Sequence, residues 1–234
     1  MAALASRAIG SGVAAVLALG AVTGCDSTQN KNERAKLRAA RELASRKPQR
    51  VTATNPDVRV TDVTLVRDRR STAIVVDLRS LARTPLTDVP ISVGVGRTYL
   101  NARRGLDWFQ THVPAIPPGG RVSWVFLSNR RIEGRGRAFA RVGLPTPISH
   151  ATALPSIAAE PAPRGRVVVE NTSDVPQYGL QVYALAREGR RYVAAGKAAL
   201  EHLGTGGRKS VRVPLTGSAR RRPLQVYAIP TNFQ

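Results

Sequence analysis

One thiol and three imidazoles hold most of the chemistry this sequence could offer. Cys25 is the only cysteine. It follows Arg7 and an apolar, small-residue run from Ala8 to Gly24, and it closes the tetrapeptide Val22-Thr23-Gly24-Cys25. With no second cysteine, a monomer can form no disulfide, and the chemistry left is that of a single nucleophilic sulfur. His112, His150 and His202 lie far apart, and the pattern around them puts one in a loop, one in a linker and one in a loop. A zinc site needs three or four ligands at supporting spacing. No His/Cys/Asp/Glu cluster provides that, so no metal and no cofactor is expected. A serine nucleophile elbow of the Gly-x-Ser-x-Gly type does not occur. Gly204-Thr205-Gly206-Gly207-Arg208 has no helical pattern after it and no Walker lysine, so it is not a phosphate loop. Acidic residues number 15 against 36 basic ones. A paired-carboxylate hydrolase would rest on Asp107 and Glu133 alone. The chain is therefore expected not to be an enzyme.

The segment ending at Cys25 resembles a bacterial lipoprotein signal peptide, whose lipobox closes on small residues and a cysteine. The glycines and Ser11 interrupt the apolar run, which suits a signal h-region better than a span of about 20 apolar residues. The resemblance implies cleavage after Gly24 and lipidation of Cys25, with palmitate among the acyl chains. Two or more chains, at about 0.8 kcal/mol per buried methylene, anchor stably where one is marginal. The implied location is the extracytoplasmic face of the cell membrane. Two other readings stay open: an uncleaved membrane helix, and an exported chain with a free thiol.

One loop stands out as a candidate binding site. Arg97–Pro118 gathers Tyr99, Arg103, Arg104, Trp108, Phe109 and His112. About twenty residues is long for a β-sandwich connection, and long loops are often functional. Tryptophan and arginine are also common at binding hot spots. The alternative is that Trp108 and Phe109 fold back to cap an open edge or end of the sheet. Arginine clusters mark four turns: Arg67 to Arg70, Arg130 to Arg137, Arg190-Arg191 and Arg220 to Arg222. Their default role is a solvated hairpin tip that protects strand edges.

The formal net charge is +21, mostly arginine, and only Arg7 leaves with the leader. The arginine- and alanine-rich composition looks like the product of a GC-rich bacterial genome, such as an actinobacterium, so codon bias competes with function as its cause. Such a field attracts anionic polymers. Outside a bacterial membrane these are anionic lipid headgroups and phosphate- or carboxylate-bearing wall polymers. Nucleic acid is not expected as a partner, because export separates it from the chain and aromatic residues are only 5%.

These groups must be positioned by elements that change character along the chain. Residues 25–50 read as a lipidated cysteine and a basic helical stalk, with Asn30 and Glu33 as a capping pair and Pro48 as the stop. This segment is either a second, electrostatic foot on the membrane or a solvated spacer. From Val51 the period becomes two. Strands are expected at Val58–Leu65 with a bulge or turn, Thr72–Leu78, Val89–Val95, Val122–Phe126 and Gly136–Gly143. A second series follows at Val167–Glu170, Leu180–Arg187, Arg191–Ala195, Ser210–Leu215 and Leu224–Ile229.

The two series match. Gly119 to Phe126 aligns with Gly206 to Val213, and Val89 to Val93 with Tyr178 to Val182. With the Asn171-Thr172-Ser173 loop and the Pro117-Pro118-Gly119-Gly120 turn, these segments resemble the small immunoglobulin-like modules of bacterial envelope proteins. The Cys…Trp…Cys signature of antibody-type domains is absent. The expected fold is all-β: two tandem Ig-like β-sandwiches at 51–149 and 150–234, joined through the Ala- and Pro-rich His150–Pro163. The expected role is a non-catalytic, lipid-anchored envelope protein presenting basic surfaces to an envelope partner or anionic polymer. Its rivals are an accessory subunit of an envelope enzyme or transporter, and a purely structural spacer.

Overall fold

The computed structural model describes residues 50–102, 106–133, 136–145, 152–220 and 222–233. Cys25, most of the stalk, Arg103, Arg104, Arg135, His150 and Arg221 lie outside the described residues. Among the described residues the protein is all-β, with two short 3-10 turns and no α-helix.

Strands β1 (Val58–Arg67), β2 (Thr72–Ser80) and β6 (Arg121–Ser128) form one antiparallel sheet in the order β1-β2-β6. The phase change in β1 is a bulge between Val60 and Asp62, at the place where the valine alternation breaks in sequence. In the facing sheet, β3 (Leu86–Val95) pairs with β4 (Thr98–Tyr99), β5 (His112–Ile116) and β7 (Ala138–Val142). Ile74, Val76, Leu78, Trp124 and Phe126 from the first sheet join Val89, Ile91 and Val93 from the second in one core.

The second half repeats the plan. Strands β8 (Ile157–Ala162), β9 (Arg166–Asn171) and β12 (Arg208–Arg212) form a sheet in the order β8-β9-β12. In the other sheet, β10 (Gln177–Glu188) lies between β11 (Arg191–Leu203) and β14 (Leu224–Ile229), with β13 (Thr216–Gly217) outside β11. The turn bonds repeat as well. Ser80 N donates to Gly120 O at 2.9 Å, and Asn171 N to Gly207 O at 2.9 Å. Leu81 N donates to Asp57 O at 2.7 Å, and Thr172 N to Ser156 O at 3.1 Å. Gly119 and Gly206 both take positive φ, 61° and 63°, in the turns that feed β6 and β12. The segments aligned in sequence thus occupy matching places in the two strand orders.

The halves are not separate beads. Ala73, Ile74, Val75, Val76 and Leu78 of β2 are all fully buried, the signature of a strand covered on both faces. By alternation Val75 and Val125 fall on the face opposite Ile74, Val76, Trp124 and Phe126, and β11 packs on both of their strands. On β10, Tyr183 and Leu185 join the first-half core, while Leu180, Val182 and Ala184 fill a second one with Val167, Val169 and Leu203. Four sheets therefore stack, and β11 packs on β1, β2 and β6.

Candidate functional site

The aromatic segment before β5 is more ordered than its sequence suggested. The expected loop at Arg97–Pro118 contains β4, a 3-10 turn at Trp108–Gln110 and the whole of β5. His112 lies in β5 rather than in a loop, and His202 lies in β11. Asp107 caps the 3-10 turn by accepting from Phe109 N at 3.1 Å. Glu133 pairs with Arg131 at 3.0 Å, so the two candidate carboxylates serve different partners.

Trp108 and His112 are 4% and 3% exposed, and their rings stack at 4.3 Å with an interplanar angle of 1°. Phe109, also buried, meets Trp108 edge-on at 5.1 Å. Tyr99 is elsewhere, edge-on to Phe139 and beneath the Arg50 guanidinium. The structure thus groups Trp108, Phe109 and His112 and separates Tyr99 from them.

What this segment covers is the free edge of β6. The Gln110 side chain mimics a neighbouring strand: its Nε2 donates to Leu127 O and its Oε1 accepts from Leu127 N, both at 3.2 Å. Trp124 Nε1 donates to His112 O at 3.0 Å. Asn101, fully buried, ties the segment to β3. It accepts from Val93 N and donates to Ile91 O and Gln110 O, all at 2.8 Å. Nothing in the local sequence marks Asn101 or Gln110, because each acts on backbone distant in sequence.

Two polar clusters sit where the halves meet. In one, Asp77 of β2 accepts from Arg187 Nη2 and from Tyr192 OH, both at 2.8 Å. Tyr192 OH also bonds Ser123 Oγ at 3.0 Å, and Tyr227 OH donates to Ser123 O. Burial raises the Tyr192 and Tyr227 hydroxyls above their ordinary value, so both remain protonated donors. In the other cluster, Lys197 Nζ donates to Phe109 O at 2.9 Å and lies 5.8 Å from the Trp124 ring. Burial pulls the Lys197 ammonium down to about 7, against a smaller opposing pull from Asp107. At the tip of the β1–β2 hairpin, Ser71 Oγ bonds Thr216 Oγ1 at 2.8 Å, adding a third tie between the halves.

The arginine clusters of the turns converge only in part. Arg137, Arg190 and Arg191 line an open cleft of about 370 Å3 with Asp62 and the edge of β1. Arg131 bonds Asp68 O at 3.4 Å, and Arg222 pairs with Glu188. A stronger feature was not visible as a cluster. Arg59, Arg79 and Arg121 are register partners across β1, β2 and β6, and all three are exposed. Among the described residues none of them forms an ion pair or a side-chain hydrogen bond. The three lie far apart in sequence, and only strand pairing lines them up.

Among the described residues no group of three or more His, Cys, Asp and Glu could hold a metal, and no helix is long and apolar enough to cross a membrane. Neither a protein-family model nor a curated protein matches the chain.

Proposed function

We propose that this is a non-catalytic, lipid-anchored envelope protein. In this reading two tandem Ig-like sandwiches, 51–149 and 150–234, carry a basic surface to an anionic polymer or an acidic envelope partner. The leader and Cys25 supply the address, and the lipid supplies the tether. The observation that carries the binding role is the Arg59–Arg79–Arg121 row, which has no ion pair among the described residues. Like charges directly opposite on neighbouring strands destabilise a sheet, and a bound polyanion removes that repulsion. The cross-contacts through Asp77, Lys197 and Ser71 support a rigid presenter rather than a flexible spacer.

Two measurements test the reading in intact cells. Cys25→Ala abolishes palmitate labelling and moves the chain out of the membrane fraction; labelling that persists removes the anchor. Crosslinking followed by identification of the captured material compares the wild type with Arg79→Glu. Loss of the capture in the variant supports the basic row, and equal capture from both removes it.

A further inference from the structure

We propose that the Arg59–Arg79–Arg121 row binds a linear, phosphate-bearing polymer laid across the strands. The inference rests on the proposed basic-surface role and assigns it a place and a ligand chemistry.

The place follows from register. One row inward on the same face lie Asp62, Asp77 and Ser123. There the second half rises from the sheet, because Asp77 and Ser123 are held by Arg187, Tyr192 and Tyr227. The arginine row is the next row out and is uncovered. It therefore lies at the foot of a step whose wall is a second sheet, about 10 Å high by ordinary sheet stacking. A flat bilayer meets such an inside corner poorly, whereas a thin chain fits along it. Large exposed hydrophobic side chains, which a membrane face would use, are limited among the described residues to Leu81 and Leu144.

The ligand chemistry follows from residue type and spacing. Neighbouring strands lie about 4.8 Å apart, so the three guanidinium stems start about 10 Å from end to end. That span takes successive anionic groups of a chain rather than one small ion. Arginine forks suit phosphate oxygens in pairs. The carboxylate nearest on β2, Asp77, is already engaged by Arg187 and Tyr192 and is not available to neutralise Arg79.

The second half supplies the contrast. At the matching row of its outer sheet, Arg208 stands opposite Glu170 and reaches Glu170 at 3.6 Å and Glu160 at 3.8 Å. At the other end of that sheet Arg166 stands opposite Arg212 and donates to Ser210 Oγ at 2.8 Å. The matching row thus sets its arginine against carboxylates in the second half, whereas among the described residues Arg59, Arg79 and Arg121 meet none.

The test uses the purified full chain with three probes: soluble poly(glycerol phosphate), inorganic phosphate, and vesicles of phosphatidylglycerol. The polymer is expected to bind, with log K falling against log salt at a slope of about −2 to −3 for three contacts. The triple variant Arg59→Ser, Arg79→Ser, Arg121→Ser should bind at least 30-fold more weakly, with a slope near zero. Its melting temperature should not fall, since it loses only repulsion. The control triple Arg166→Ser, Arg208→Ser, Arg212→Ser should change affinity less than threefold, and phosphate alone should not compete at millimolar concentration. Equal losses from both triples would reduce the row to general cationic charge. Polymer binding that the row variant retains would place the ligand elsewhere, overturning this assignment while leaving the basic-surface reading intact. Row-dependent binding to vesicles without polymer binding would overturn the choice of ligand. Binding to none of the probes would overturn the row as a polyanion site, and the crosslinking in cells would then decide whether a protein partner remains.

Discussion

Lys197 makes stability rise with pH across a range where most proteins are flat. Its ammonium sits at the junction of the two halves, hydrogen-bonded to Phe109 O, and it titrates at about 7 instead of the ordinary 10.5. Burial is the main cause, since it penalises the charged form. The sign follows by linkage. Between these two values the unfolded chain holds the proton and the folded chain has released it. Unfolding therefore takes up a proton, and stability increases as pH climbs from about 7 toward 10.5. Integrating from pH 7 to pH 9 gives a gain of about 2 kcal/mol. In a chain of this size that is about 4–8 °C in Tm. The assay is a pH series of thermal melts on the wild type and Lys197→Met, which keeps the stem and removes the titrating group. The difference in Tm between wild type and variant should shift in favour of the wild type by that amount from pH 7 to pH 9. Parallel profiles would show that the ammonium is well hydrated and that the junction near Phe109 is open to water. A shift of opposite sign would show a paired, stabilised cation.

Three further outcomes follow from the same contacts. Gln110→Ala removes both bonds to the Leu127 backbone and bares the β6 edge; it should cost about 2 kcal/mol in denaturant melts and give concentration-dependent self-association in sedimentation. In Gly196→Ala the new Cβ would stand 2.1 Å from Pro214 O, so the strand must shift; a loss of about 1–3 kcal/mol is expected, and an unchanged Tm would refute the close approach. Asp77→Asn leaves Arg187 without its counter-charge at the junction; about 1–2 kcal/mol should be lost, with Tyr192→Phe in the same background adding less than it does alone, as a double-mutant cycle reads.

Much of the strand pattern was legible because alternation is local. Val89, Ile91, Val93 and Val95 read as one buried face and are one. The β1 bulge showed as a phase slip between Val60 and Val63. The turn glycines Gly119 and Gly206 were legible because backbone geometry rather than packing requires them. What failed was the stretch before β5. His112–Ile116 contains Pro114 and follows polar residues, so it lacks the marks of a strand, yet all five residues are buried against β3. Trp108 and Phe109 gave a composition that fits a binding loop equally well. Only burial separates the two uses of an aromatic pair, and burial is a property of the fold.

The junction between the halves was written in sequence in a form that period-two reading discards. Ala73-Ile74-Val75-Val76 breaks alternation, and so does Leu180 to Ala186 apart from Gln181. A run apolar on every residue cannot belong to a sheet with one wet face. It requires a neighbour on each side, and in a chain with several stacked sheets the second neighbour is another sheet. The polar residues on those outer faces then take on a different meaning. Asp77, Arg187 and Tyr192 read singly as solvent-facing positions, but at a sheet-on-sheet contact an unpaired charge is costly, so they satisfy one another. The same rule explains why the arginine row lies one row beyond the contact. Inside it Arg59, Arg79 and Arg121 would each need a carboxylate, and at its open margin they need only water or an anion from outside.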